Sequence, residues 1–421
     1  MTDAAASVDA HNIERLIEAF AALSEPGEGV TRLGYSALER QAHDLFASEM
    51  AGLGLKAAVD AAGNTIAELS PASASGARAI GTGSHLDSVP SGGRFDGIAG
   101  VCAAIETARV VVESGSAIRR PWRFVVFAAE EGARFGQACT GSRVIAGLTG
   151  AGDLDAFHDK DGVSLRQAMA EVGLDPAGCA SAVWDPDEWH AFVELHIEQG
   201  NVLESSGTPI GVVESISGSS RLLVTLTGTA SHTGGTPMHL RRDALAAAAE
   251  CVLAGERLAK DREHHGTRVT VGRLDVHPGS ITTIPGEVVF SVDVRDLDSQ
   301  RQRSTARELL ARFEGIAAER GVGIRSEVIG DTSPVILPTW VADAIAGAAV
   351  AEGLGYRMMS SGASHDAQQI SRVTSTGMIF VPSKDGLSHV PEEWTSSQEL
   401  AEGTRVLVRT LSALDAEEDR R

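Results

Sequence analysis

The chain runs to 421 residues, of which 43% are hydrophobic and 22% charged. That balance excludes a disordered segment and a small disulfide-stapled module, and leaves room for two or three domains. Its 36 Lys and Arg face 57 Asp and Glu, a formal net charge of −21 that repels phosphate backbones and anionic lipid and argues against nucleic-acid or membrane partners.

The N-terminus lacks a basic region followed by an apolar run, and no window of about 18 uncharged apolar residues follows. Cys102, Cys139, Cys179 and Cys251 show no CxxC spacing. The expectation is a cytoplasmic protein with buried free thiols. Residues 11–24 and 36–53 carry apolar side chains at helical spacing, predicting two amphipathic helices. KAAVDAAGNTIAEL (56–69) reads as two strands about a Gly-Asn turn, PASASGAR (71–78) as a surface turn, and RAIGTGSHLD (78–87) as a buried strand ending in a loop. A long helix (97–115) and an apolar strand, WRFVVFAAEE (122–131), come next. This order predicts a right-handed crossover in a mostly parallel sheet, with ligands at the carboxyl ends of its strands. His85, Glu130 and Glu131 stand at such ends.

The texture changes near 212, where alternating strands lead to an Ala-rich helix (241–260), strands at 267–275 and 286–295, and a helix at 300–320. The set fits a βαββαβ, ferredoxin-like insert. A helix at 339–353, a strand at 376–381 and a helix at 397–414 restore the first pattern, and the charged tail 415–421 reads as frayed. The predicted architecture is an α/β domain of mostly parallel sheet, 1–211 and 330–421, interrupted by a smaller α+β domain, 212–329. Joints near 211–213 and 328–332 would let the insert swing.

Five side chains of metal-ligand type sit in apolar or glycine-rich surroundings: His85, Asp96, Glu131, His196 and His389. Asp96, in GGRFDGIAG, reads either as a helix N-cap or as a ligand that the flexible glycines let turn toward His85. Glu130 and Glu131 end an apolar run, and a buried pair needs protons or cations beside it; an exposed pair at a strand terminus is the other reading. In a metal hydrolase one such acid ligates while its neighbour takes a proton from water and passes it to the leaving nitrogen. VELHIEQG puts Glu194, His196 and Glu198 on one side of a strand, offering His196 a carboxylate partner. Nitrogen and oxygen donors without thiolate suit zinc, manganese, cobalt or nickel, in a two-ion site with a separation of roughly 3.5–4 Å. GTGSHLDSVPSGG has neither a P-loop ending nor GxGxxG spacing, and no GxSxG elbow is evident, so nucleotide binding and serine hydrolysis are set aside.

In order and spacing, GSHLDSVPSGGRFDGIAGV, AAEEGARF, HIEQG, SHTGGTPM and PSKDGLSH resemble the M20 metallopeptidase family. The likeness is greatest to its amidase branch of N-carbamoyl-L-amino-acid hydrolases, allantoate amidohydrolases and β-ureidopropionases. The resemblance implies two divalent ions per subunit (Zn, Mn, Co or Ni) bound by His85, Glu131, His196 and His389, with Asp96 bridging them. Glu130 would be the general base for a bridging water, and Asp87 would orient His85. The insert would serve as a lid and dimerisation domain in a homodimer, its His232 steadying the oxyanion at the neighbouring subunit's site. Arg295 in VDVRD matches an arginine that grips the substrate carboxylate; its other reading is an ion pair with Asp293 or Asp296. Ser219, Thr282 and Ser364 replace glutamine, asparagine and glycine at substrate-contacting positions, while His365 keeps its match. The expected reaction is hydrolysis of a linear carbon–nitrogen bond in a small non-peptide amide, foremost an N-carbamoyl amino acid. Cleavage of an N-acyl amino acid or dipeptide is the alternative, and a non-catalytic binding protein is disfavoured by the full set of ligands and base.

Overall fold

A computed structural model describes residues 2–72 and 76–417. The chain forms two compact units, Met1–Ser215 with Ile336–Arg421, and Ile216–Val335, so the divisions fall a few residues later than the joints expected from sequence.

The first unit opens with α1 (Thr2–Ala6), α2 (Ala10–Ala21) and α3 (Ala37–Gly52). In α2 the face formed by Ile13, Leu16, Ile17 and Phe20 is buried, the spacing of an amphipathic helix. β1 (Lys56–Val59) and β2 (Thr65–Leu69) pair as a hairpin. β3 (Ala79–His85), α4 (Ile98–Glu113), β4 (Trp122–Phe127), the short α5 (Thr140–Ile145) and α6 (Leu165–Glu171), β5 (Trp189–Ile197), α7 (Val202–Ser206) and β6 (Ile210–Ile216) follow.

The second unit holds β7 (Gly218–Thr227), β8 (Ser231–His232), α8 (Ala244–Lys260), β9 (Arg268–Thr270), β10 (Leu274–His277), β11 (Thr283–Ile284), β12 (Glu287–Asp296), α9 (Ser299–Arg320) and β13 (Gly323–Thr332). Its main sheet is antiparallel in the order β10-β12-β7-β13, with β9 also on β12. The single strand expected at 267–275 is thus two, broken across Gly272. Alternate residues of β7, Leu222, Val224 and Leu226, share a core with Cys251 of α8 and Phe313 of α9.

The chain re-enters the first unit through β14 (Val335–Ile336), α10 (Thr339–Ala351), β15 (Tyr356–Ser361), α11 (Asp366–Ile370), β16 (Ser375–Val381) and α12 (Ser397–Ala416). The completed sheet runs β1-β2-β4-β3-β5-β16-β6-β14, with β15 also on β6. Its central β4, β3, β5 and β16 are parallel, and antiparallel pairs flank them. Every residue of β3 and β5 is buried, which explains why apolar residues and glycine predominate on both faces of each. Asp415, assigned from sequence to a frayed tail, is helical and buried and accepts hydrogen bonds from Arg119 N, Arg120 N and Trp122 Nε1; residues 418–421, and 73–75 of the expected surface turn, lie outside the described residues. All four cysteines are buried free thiols. No helix among the described residues is long and apolar enough to cross a membrane.

Candidate metal centre

The parallel strands deliver their carboxyl ends to one edge of the first unit's sheet. His85 closes β3 and His196 stands one residue before the end of β5. The acid pair is not on a strand. β4 stops at Phe127, and Ala129 turns the chain with φ 52. Three buried oxygens fix this turn: Ala129 N donates to Glu39 Oε1 at 2.7 Å, Glu130 N to Asp87 Oδ1 at 2.8 Å, and Glu131 N to Asp87 Oδ2 at 3.0 Å. Asp87 Oδ1 also lies 3.3 Å from His85 Nδ1, so one carboxylate orients the imidazole and the two glutamate amides together.

Asp96 does not cap a helix. The residue in that position for α4 is Gly97, with φ 68, and a Cβ there would come within 2.5 Å of the His85 ring. The Asp96 carboxylate instead faces the histidines. Its Oδ1 is 3.5 Å from His85 Nε2 and 3.2 Å from His196 Nε2, and its Oδ2 is 3.4 Å from His389 Nε2. His389 Nε2 is in turn 3.2 Å from Glu131 Oε2. Asp96 is therefore shared by two triads, His85–Asp96–His196 and Asp96–Glu131–His389. Gln199 Nε2 donates to its Oδ2 at 2.5 Å, and Ser388 Oγ lies 2.7 Å from the same oxygen.

His196 finds no carboxylate on its other nitrogen. Nδ1 donates to Ile197 O at 2.9 Å, while Glu194 accepts from Ser84 Oγ and Ala367 N. Glu198 lies beyond the end of β5 and takes the amides of Val202 and Leu203 at the start of α7. The strand alternation that aligned these residues in sequence ends at Ile197.

Burial alone would raise the Asp96 carboxyl, but His196, His389 and His85 outweigh it and hold the group well below the usual range. Burial likewise opposes charge on His85, yet Asp87, Asp96 and Glu130 push its imidazole well above the ordinary value. Burial, then the charges of Asp96 and Glu130, drives Glu131 well above the usual carboxylate range. Four acids with buried side chains, Asp87, Asp96, Glu130 and Glu131, thus crowd the buried imidazoles of His85 and His196 and the half-exposed one of His389. This excess of buried negative charge, with nitrogen and oxygen donors converging, fits hard or borderline divalent cations.

Glu130 Oε1 accepts the Cys139 thiol at 3.0 Å and its Oε2 lies 3.8 Å from His85 Nε2. His365 packs edge-on against His196, centroids 4.6 Å apart, with Nε2 2.9 Å from Ser361 Oγ; Ser364 precedes it, partly exposed.

The other sequence-selected residues belong to the second unit. Ser219 and Arg295 are directly opposed on β7 and β12, and Arg295 Nε donates to Asp293 Oδ2 at 2.9 Å, the ion pair that was its other reading. His232 pairs with Thr283 between β8 and β11, and the carbonyl of Thr282 accepts the Thr233 amide. His232 Nδ1 accepts from Gly234 N at 3.1 Å and Gly235 N at 3.0 Å. Gln199, Ser388 and Glu393 escaped the sequence reading, as did the contact of Cys139, expected only as a buried thiol, with Glu130. They lie within or beside motifs that were noticed, but no spacing rule separates them from ordinary loop residues.

Residues 81–413 match the model of peptidase family M20/M25/M40. An N-carbamoyl-L-amino-acid amidohydrolase of Paenarthrobacter aurescens is 42% identical over 96% of this chain and 98% of its own length. An allantoate amidohydrolase of Bacillus subtilis is 36% identical over 92% and 93%. The crystal structure of AtUAH in complex with glyoxylate superposes with a TM-score of 0.91 at 35% identity, covering 98% of this chain and all of that one. The chain belongs to peptidase family M20/M25/M40, within its branch of amidohydrolases.

Proposed function

We propose that this chain is a two-metal amidohydrolase that cleaves a linear carbon–nitrogen bond in a small non-peptide amide, foremost an N-carbamoyl amino acid or a related ureido compound. One observation carries the reading: Asp96 is shared between the pair His85 and His196 and the pair Glu131 and His389, while Glu130 stands beside them outside both triads, its Oε2 3.8 Å from His85 Nε2. Divalent ions held there, Zn, Mn, Co or Ni, would polarise the substrate carbonyl and lower the pKa of a bound water.

Glu130 takes a proton from the attacking water and returns it to the leaving nitrogen. Asp87 keeps His85 and both glutamates in register for that exchange. In the second unit, two backbone amides occupy His232 Nδ1, so the neutral ring carries its proton on Nε2 and can donate to a developing oxyanion. Arg295, with Ser219 opposite it, offers a guanidinium to a substrate carboxylate, and Thr282, Ser364 and His365 complete the substrate contacts. A homodimer, in which His232 serves the neighbouring subunit, is supported by β13. This edge strand of the second unit's sheet exposes Val328 and Ile329 by 62% and 47%, an open ladder that a second copy can cover. The four free thiols suit a reducing cytoplasm.

The names of the relatives, N-carbamoyl-L-amino-acid and allantoate amidohydrolase, support ureido cleavage. Serine and threonine at 219 and 282, each without a carboxamide, favour the second reading, N-acyl amino acid hydrolysis. The test is an ammonia-release screen of the metal-reconstituted protein over N-carbamoyl amino acids, allantoate and ureidopropionate, run beside amine release from N-acyl amino acids. Ammonia from a ureido compound, abolished by Glu130→Gln with metal content retained, is expected. Silence on every ureido compound with amine from an acyl one overturns the first reading in favour of the second, and silence on all with metal bound overturns both.

A further inference from the structure

Asp96 and His389 are 293 positions apart, and both meet one side chain that the chemistry above does not use. Glu393 lies in the loop between β16 and α12 and is 2% exposed. Its Oε1 accepts Phe95 N at 2.8 Å and Asp96 N at 3.0 Å; its Oε2 accepts Ser388 Oγ at 2.8 Å and His389 N at 3.3 Å. A buried carboxylate is tolerable only when so satisfied, and here every partner is a neighbour of the shared aspartate or of the distant histidine.

Three further features fit this clamp. A Cβ on Gly93 would fall 2.0 Å from Glu393 Oε1, so the loop before Asp96 is glycine where the acid enters. His389 holds a left-handed backbone, φ 61, and its amide is one of those Glu393 accepts. Ser388 Oγ also lies 2.7 Å from Asp96 Oδ2, so its one hydroxyl proton stands between the Asp96 and Glu393 carboxylates.

We infer that Glu393, with Ser388, is a positioning residue that sets where the Asp96–Glu131–His389 triad holds its ion relative to the His85–Asp96–His196 triad. The inference rests on the reading of those residues as metal ligands. Removing the clamp frees the His389 loop from the Asp96 loop while β3 and β5 still present His85 and His196. One binding step should therefore suffer far more than the other.

The test is titration of the metal-free full chain with Co2+, followed by calorimetry and visible absorption, for the wild type, Glu393→Ala, Glu393→Gln and Ser388→Ala, with thermal melts to confirm folding. The wild type is expected to bind two ions. Glu393→Ala should keep one step and weaken the other by about 10–100-fold, the usual effect of losing a partner that supports ligands. Glu393→Gln keeps an oxygen for the Phe95 and Asp96 amides but turns donors toward His389 N, and should fall between the two. Two unchanged steps in folded Glu393→Ala overturn the inference. Should that variant not fold, two unchanged steps in both Glu393→Gln and Ser388→Ala overturn it. A wild type that binds fewer than two ions overturns the two-metal reading beneath it instead.

Discussion

Four non-glycine residues around the centre, Ala129, Cys139, Gln199 and His389, hold φ values of 52, 56, 57 and 61, a region that costs L-residues about 1–3 kcal/mol each. Each is pinned through its amide: to Glu39, to the Glu130 carbonyl, to Ser383 Oγ and to Glu393. Four of the seven non-glycine residues with positive φ among those described thus lie around the centre, the others being Tyr35, Ser91 and Asp385. Glu39 shows how this support depends on protonation. Burial, then the charge of Asp87, lifts its carboxyl from the ordinary 4.5 to about 7, against the pull of the Ala129 and Tyr35 amides. Because the folded value lies above the unfolded one, the group's contribution to stability is complete below the ordinary value and is lost as pH rises through about 7. The shift amounts to about 3 kcal/mol. Glu39→Gln cannot ionise, so its melting temperature relative to the wild type should climb from about pH 4.5 to about pH 7 and level off above that. Parallel pH profiles of the two melting temperatures would show that Glu39 does not carry this linkage.

At the scale of elements, β3 is built for close approach. A Cβ on Gly83 would lie 1.8 Å from the carbonyl oxygen of Val125 in β4, and one on Gly81 would meet the rings of Phe192 and Trp189. Glycine in a strand interior otherwise weakens it, so these two positions mark where neighbours crowd in. Gly83→Ala must part β3 from β4, with strain beyond the usual ~1–3 kcal/mol of overpacking, and His85 sits two residues on. The expected outcome is a melting temperature at least 10 °C lower or loss of soluble protein; a variant that melts like the wild type would mean that the strands part at little cost. The order of strands and helices was legible because buried parallel strands read as continuous apolar runs and the helices keep their period. The exposed edge strands β13 and β15 were not, since GIRSEVIGDT and YRMMSS carry no burial alternation. The end of β4 was misplaced because FAA continues the apolar run, and it is Asn64, Glu39 and Asp87, from elsewhere in the chain, that take the amides where the strand stops. The ligand types at the centre were visible as polar residues in apolar settings. Glu393 was not, because what distinguishes it is a set of partners nearly 300 residues away.

Across the whole molecule the charge is unevenly divided. The second unit, Ile216–Val335, carries 15 Lys and Arg and 15 Asp and Glu, so the entire net charge of −21 belongs to the first unit. That is also the unit that gathers Asp96, Glu130 and Glu131. An anionic substrate approaching these residues meets a repulsive field extending about 30 Å at 0.01 M salt but only about 8 Å at 0.15 M. Under the proposed mechanism the local cations, Arg295 and any divalent ions held by the centre, would act only at short range by comparison. For a ureido substrate bearing a carboxylate, kcat/KM should therefore rise about threefold or more between those two salt concentrations, with kcat nearly constant because the bound complex is beyond the reach of screening. The same substrate as its neutral carboxamide should show no such rise. A fall in kcat/KM with salt for the carboxylate would mean instead that the local cations govern encounter, and that the acidic surface serves solubility rather than selection among substrates.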